Sequence, residues 1–156
     1  MNPPILEFFG HYRFLSNFWP CQVLYEGILY PSVEHAYQAA KSDCQQIRLN
    51  IASCATTAAA KRCGRTVTPR AGWTGMKVGV MRDLLRLKFA DEYLRNRLLA
   101  TGDAEIVEGN NWHDSFWGRC NCAIHEGTGT NWLGKLLMEI RKEWQPKQEN
   151  TCATDL

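Results

Sequence analysis

The sequence predicts an α+β fold: a helix-rich single domain carrying a small β-sheet. Three observations predict it. A chain of 156 residues is the size of one domain and buries about two-thirds of its unfolded surface. The first thirty residues read as strands and turns, whereas from Ser32 onward apolar residues recur at helical spacing. No repeat, low-complexity tract or linker divides the chain, so the domain is set at residues 1–145. The segment that follows, PKQENTCATDL at 146–156, has little to bury and is expected to be a disordered tail.

The elements follow in order. ILEFF is a short apolar run, and CQVLYEGILYP reads as a hairpin turning at Glu26-Gly27. PSVEHAYQAAK reads as a helix from Ser32, and Gln45–Ala52 as a second. Thr56 or Thr57 can cap a short helix through AAAKRC, which Gly64 is expected to end. TVTPRAGW is a loop. KVGVMRDLLRLKF is strongly amphipathic, with Val80, Leu84, Leu87 and Phe89 as its buried face. Asp91 caps DEYLRNRLLAT, and Gly102 closes it. AEIVE is a short strand, and NNWHDSFWGRC a polar, aromatic loop. GTGTN opens a final helix marked by Leu133, Leu136, Leu137, Ile140 and Trp144.

Composition excludes some functions. With 45% apolar and 22% charged residues, the chain is an ordinary globular protein, and its apolar runs are far too short to span a membrane. No basic segment followed by an apolar run opens the sequence, so a cytoplasmic protein is expected. A net charge of +2 does not argue for a long nucleic-acid groove. Lys61, Arg62 and Arg65 nevertheless make a local basic cluster. Seven cysteines without an export signal are expected to be reduced thiols. Cys120, Cys122 and His125 in CNCAIH approach a metal pattern. Their C-x-C spacing and missing fourth ligand favour buried thiols, so neither metal nor cofactor is expected.

Four stretches carry candidate chemistry. In the helix from Ser32, Glu34, Gln38 and Lys41 fall at i, i+4 and i+7, one polar stripe opposite Val33, Ala36 and Ala40. Such a stripe is a solvated face or a catalytic one. In the loop from Asn110 to Trp117, two tryptophans flank Asp114, an arrangement suited to stacking a flat ring beside an acid. GTGTNWLG is a glycine-containing helix start that can offer N–H groups to phosphate. RFLSNFWP sets Ser16 and Asn17 among Phe14, Phe18 and Trp19. Together these point to a pocket for a nucleotide or ribose-phosphate small molecule.

The ordered blocks RFLSNFWP, YPSVEHAYQAAK, AKRCGR, VMRDLLRLKF, LLATGDAEIVE, DSFWG and GTNWLGKLLMEIR resemble the NADAR superfamily, the YbiA-like N-glycosidases. The resemblance runs from Phe8 to Arg141. It implies a YbiA-like fold and hydrolysis of an N-glycosidic bond. Members similar to YbiA act on early riboflavin-pathway intermediates; others remove ADP-ribose from guanine bases in nucleic acid. A non-catalytic ADP-ribose-binding module is the third reading. By the same resemblance, Glu34, Lys41 and Asp114 are catalytic. Arg62 and Arg65 suit phosphate, Asn17 and Asn131 orient ribose or phosphate, and Trp117 is the aromatic neighbour. Phe18, Gln38 and Gly118, within the same blocks, complete the binding set. Glu34 or Asp114 would stabilise an oxocarbenium-like state, and Lys41 is either a covalent nucleophile or a phosphate-side cation. The chain departs from the family in its long CNCAIHEGT insert and in GTGTN, where threonine replaces lysine.

Overall fold

The computed structural model describes residues 1–146, and the tail expected over 146–156 therefore lies, from residue 147 on, outside the described residues. The order of elements is a 3₁₀ helix (Gly10–Leu15), β1 (Val23–Tyr25), β2 (Ile28–Tyr30), α1 (Val33–Ala40), α2 (Gln45–Ala52) and α3 (Thr57–Thr66). Next come α4 (Trp73–Lys88), α5 (Glu92–Leu99), β3 (Gly109–Asn110), β4 (Arg119–Cys120) and α6 (Trp132–Trp144). The helix-rich α+β architecture is as the sequence predicts.

Local chemistry explains most element boundaries. Glu26 and Gly27 both take positive φ, 47° and 80°, which matches the twist of a two-residue hairpin. β1 and β2 accordingly pair antiparallel, Val23 opposite Tyr30. Ser32, Thr56 and Asp91 each accept a backbone N–H from three residues ahead, capping α1, α3 and α5. α1 is the central helix, packed on α2, α3 and α4, and all eight of its residues are buried. α6 packs on α4, and their apolar faces belong to one continuous core. No helix among the described residues is long and apolar enough to cross a membrane.

Several expectations need correction. The chain ahead of β1 holds a 3₁₀ helix as well as turns. AEIVE forms only a bridge, Ile5 to Ile106, because the segment meets a single partner residue. α3 continues past Gly64 to Thr66. On α4, Leu87 is 40% exposed whereas Lys88 is 1% exposed. The buried face is Val80, Met81, Leu84, Leu85 and Lys88, a true 3.6-residue stripe. The Lys88 charge is tolerated there because its ammonium donates to the Ser16 carbonyl at 2.8 Å. Trp144, which marks the last turn of α6, is 41% exposed and stacks with the Arg95 guanidinium. The loop 110–120 also brings β3 and β4 together in parallel, Gly109 opposite Arg119 and Asn110 opposite Cys120.

Candidate active site

The polar stripe of α1 faces a cavity of about 630 Å³, in the size range of small-molecule sites. α1 contributes Glu34, Tyr37, Gln38 and, just past its end, Lys41; α3 contributes Lys61 and Arg65. The segment after the 3₁₀ helix brings Ser16, Asn17 and Phe18, and it is tied down at two points. Lys88 holds the Ser16 carbonyl, and the Glu34 N–H donates to the Asn17 carbonyl at 3.1 Å. The opposite wall is Glu108, Gly109, Trp112, Asp114 and Trp117.

The aromatic loop is held by its own side chains. Asn110, 3% exposed, accepts the Asp114 N–H at 3.1 Å and donates to the Asp114 carbonyl at 2.7 Å. Asp114 Oδ1 in turn accepts the Phe116 and Trp117 N–H groups at 3.1 and 2.8 Å. Trp117 then meets Tyr37 edge-on, ring centroids 5.5 Å apart. This network gives Asp114 one orientation within a loop that has almost no regular structure.

Three carboxyls and a ring of cations set the electrostatics. Burial pushes Glu108 up to about 8, and the neighbouring Asp114 and Glu34 charges add to the effect while Lys61 opposes it. Burial also raises Glu34, partly offset by the hydrogen bond from Gln38 and by Lys61 and Lys41. That hydrogen bond is short, Gln38 Nε2 to Glu34 Oε1 at 2.7 Å. Lys41 is shifted down by burial, with Lys61 and Arg65 reinforcing the shift and Glu34 opposing it. The Asn17 Oδ1 and Gln38 Oε1 atoms are buried with no hydrogen-bond partner. Both residues line the cavity, so a ligand's hydroxyl or amino groups can satisfy them.

The structure thus gathers Asn17, Phe18, Glu34, Gln38, Lys41, Arg65, Asp114 and Trp117 around one space. Three of the residues singled out by sequence lie elsewhere. Arg62 is exposed and does not line the cavity, being turned about 100° from Lys61 around α3. Gly118 is a close-packing position: a Cβ there would come 2.1 Å from the Glu108 carbonyl oxygen. Asn131 precedes α6 in the left-handed region, φ 54°. Its side chain accepts the Glu108 N–H at 3.0 Å and donates to the Ile106 carbonyl at 2.9 Å. Both therefore position Glu108 from behind. Glu108 itself was not singled out, nor were Lys61 and Tyr37 as site residues. The available signals were an acid ending AEIVE and a lysine four residues, one helical turn, before Arg65.

Gly64 shows how tightly the site is built. A Cβ at this position would lie 2.0 Å from Gln38 Oε1 and 2.8 Å from Gln38 Cβ. Gly64→Ala is therefore expected to displace Gln38 from Glu34. The clash outweighs the roughly 1 kcal/mol that alanine gains in helix propensity and leaves a net loss of about 2 kcal/mol. Chemical denaturation checks this, and an unchanged midpoint would contradict it. Beside the cavity, but outside its lining, His113, Cys120, Cys122 and His125 converge.

Fold and pocket together define a small α+β domain with one acid-, cation- and aromatic-lined cavity. The NADAR domain family model matches residues 7–145. N-glycosidase YbiA of Escherichia coli K12 is 36% identical over 151 residues, covering 92% of this chain and 90% of that protein. An N-glycosidase of Nostoc punctiforme is 38% identical over 139 residues, 85% of each chain. A riboflavin biosynthesis protein of Vibrio vulnificus is 38% identical over 138 residues, 86% of this chain but only 36% of that longer protein. The NMR structure of E. coli YbiA superposes with a TM-score of 0.76 at 34% identity, covering 92% of this chain and 86% of that one. The chain belongs to the NADAR domain family, as an N-glycosyl hydrolase.

Proposed function

We propose that this protein is a cytoplasmic N-glycosidase that hydrolyses the bond between a base and a phosphorylated ribose, acting on early riboflavin-pathway intermediates. The observation that carries this reading is the composition of the cavity. Glu34, Glu108 and Asp114 face one space with aromatic walls, while Lys41, Lys61, Arg13 and Arg65 supply positive charge for a phosphate. The unpartnered Asn17 and Gln38 oxygens suit ribose hydroxyls.

In this reading Glu108, protonated at neutral pH, gives its proton to the departing base nitrogen as the electron pair of the C–N bond leaves with it. The positive charge that develops on the anomeric carbon is met by Glu34 or Asp114. Water completes the direct route. In the covalent route, Lys41 Nζ bonds the anomeric carbon as the base departs. The nitrogen then loses a proton and the ring oxygen gains one as the sugar opens to an imine, which water hydrolyses to free amine and sugar. The downward shift of Lys41 supports that second route. Lys41→Arg keeps the charge and removes the nucleophile, so turnover is expected to fall by at least about 10²-fold. Borohydride is expected to trap a sugar adduct on the wild-type chain alone. Undiminished turnover of Lys41→Arg rejects the covalent route.

A second reading, removal of ADP-ribose from guanine in nucleic acid, is favoured by exposed aromatics at the rim. Phe9 and Trp112 are 65% and 58% exposed and line the cavity mouth with Arg13, a platform for a neighbouring base. One experiment separates the two. The protein is incubated with a phosphoribosylamino-pyrimidine and, separately, with ADP-ribosylated guanine oligonucleotide, and mass spectrometry follows the products. Released base and ribose phosphate support the first reading, and released ADP-ribose supports the second. Binding of ADP-ribose with no release from either substrate contradicts both.

A further inference from the structure

We infer that His113, Cys120, Cys122 and His125 form a four-ligand zinc site that clasps the loop carrying Asp114. The ligand atoms of all four residues lie within 4.8 Å of one another. Cys122 Sγ is 3.1 Å from His125 Nδ1 and 3.4 Å from His113 Nδ1. In a tetrahedral zinc site, with bonds of about 2.3 Å to sulfur and 2.0–2.1 Å to nitrogen, neighbouring ligand atoms stand about 3.3–3.8 Å apart. Closing the present cluster onto an ion therefore requires side-chain movements of about an ångström.

The backbone is already arranged for it. Cys122 and His125 close one turn, with the His125 and Glu126 N–H groups both donating to the Cys122 carbonyl at 3.1 and 2.9 Å. Cys120, fully buried on β4, is fixed by a reciprocal pair of bonds. Its N–H donates to the Thr128 carbonyl and its carbonyl accepts the Gly127 N–H. The fourth ligand comes from before the strand. His113 adopts φ 67°, a left-handed conformation uncommon outside glycine, and its ring faces the His125 ring at 5.5 Å between centroids. Thus the chain supplies the partner that the C-x-C pattern lacked.

The donor set selects the ion. Two thiolates and two imidazoles favour zinc over magnesium or calcium, which take oxygen ligands. Four protein ligands leave no open coordination position, so the ion is structural. Its place follows from the chain: His113 lies between Trp112 and Asp114, both of which line the cavity. The clasp holds that wall.

The test uses the full chain, purified and then dialysed against zinc, with metal measured by plasma mass spectrometry. One zinc per chain is expected, along with a fall in melting temperature on chelation. Cobalt(II) replacement is expected to give the intense visible bands of a tetrahedral site and thiolate charge transfer in the near ultraviolet. Cys122→Ser and His125→Ala lose the stoichiometric ion. His125→Cys retains it with stronger thiolate charge transfer. Cys63→Ser, in a different part of the fold, retains it unchanged. Absence of bound zinc, octahedral cobalt spectra, retention of the ion by Cys122→Ser, or its loss in Cys63→Ser would each overturn the site. These readouts do not depend on any catalytic activity, so they stand or fall apart from the proposed reaction.

Discussion

Glu108→Gln is expected to lower kcat by about 10³-fold, within the range for loss of a general acid, while the protein stays folded. Glutamine matches the size and neutrality of a protonated glutamic acid but has no proton to give. Glu108 qualifies because its environment raises it to about 8, so the protonated form prevails at pH 7. The wild-type kcat/KM should accordingly fall above pH about 8, and this limb should vanish from the residual activity of the variant. Undiminished kcat in Glu108→Gln would remove it from the reaction and leave Glu34 as the donor.

The same substitution has an opposite effect on stability. Glu108 has a folded-state value raised from its ordinary 4.5 to about 8, so the folded chain binds the proton more tightly than the unfolded one. Its contribution is then complete below pH 4.5 and is lost as pH rises through that window to about 8. Lys88 acts with the reverse sense, being lowered from 10.5 to about 8 by complete burial. Its penalty is full below about 8 and is relieved as pH climbs towards 10.5. Glu108→Gln is therefore expected to be more stable than the wild type at pH 8–9, measured by denaturation across the pH range. A carboxyl kept protonated at the expense of stability is a common signature of a functional group.

Much of this site is legible in the sequence because it rests on local rules. The Ser32 cap and the i, i+4, i+7 spacing put Glu34, Gln38 and Lys41 on one face before any contact is known. What local rules leave open is whether that face meets water. The answer depends on α3, where Gly64 lets the helices close over Gln38, and glycine in that position reads from sequence as a helix stop. The same holds for Lys88: its burial depends on a carbonyl 72 positions away. Glu108 is invisible for a related reason. It ends a segment too short to be a regular strand, and only the returning loop and the start of α6 enclose it. Cys120, Cys122 and His125 are seen at once, but His113 joins them only because β3 and β4 pair in parallel.

Asn131 gives the sharpest contrast between the two views. Read from its block it orients a ligand's ribose or phosphate, and its removal would raise KM and leave stability within about 0.5 kcal/mol. Its place in the fold leads to a different result. Asn131→Ala leaves the part-buried Glu108 N–H and the buried Ile106 carbonyl without partners, each worth about 1–3 kcal/mol. It also forces alanine into a left-handed conformation at about 1–2 kcal/mol. Relaxation recovers part of the sum, so a loss of about 3–5 kcal/mol in urea unfolding is expected. Asn131→Gly removes the same hydrogen bonds but tolerates φ 54°, and should recover about 1 kcal/mol relative to alanine. Space for rearrangement is scarce, since a Cβ on the neighbouring Gly134 would already lie 2.1 Å from the Ile106 carbonyl. The released strain therefore passes to the backbone of Glu108. Under conditions where Asn131→Gly is fully folded, kcat should fall more than KM rises, because the displaced group is the acid of the proposed bond-breaking step. A variant with raised KM, unchanged kcat and native stability would return Asn131 to the binding role and leave Glu108 to be held by the Arg119 N–H, which donates to its carbonyl at 2.9 Å.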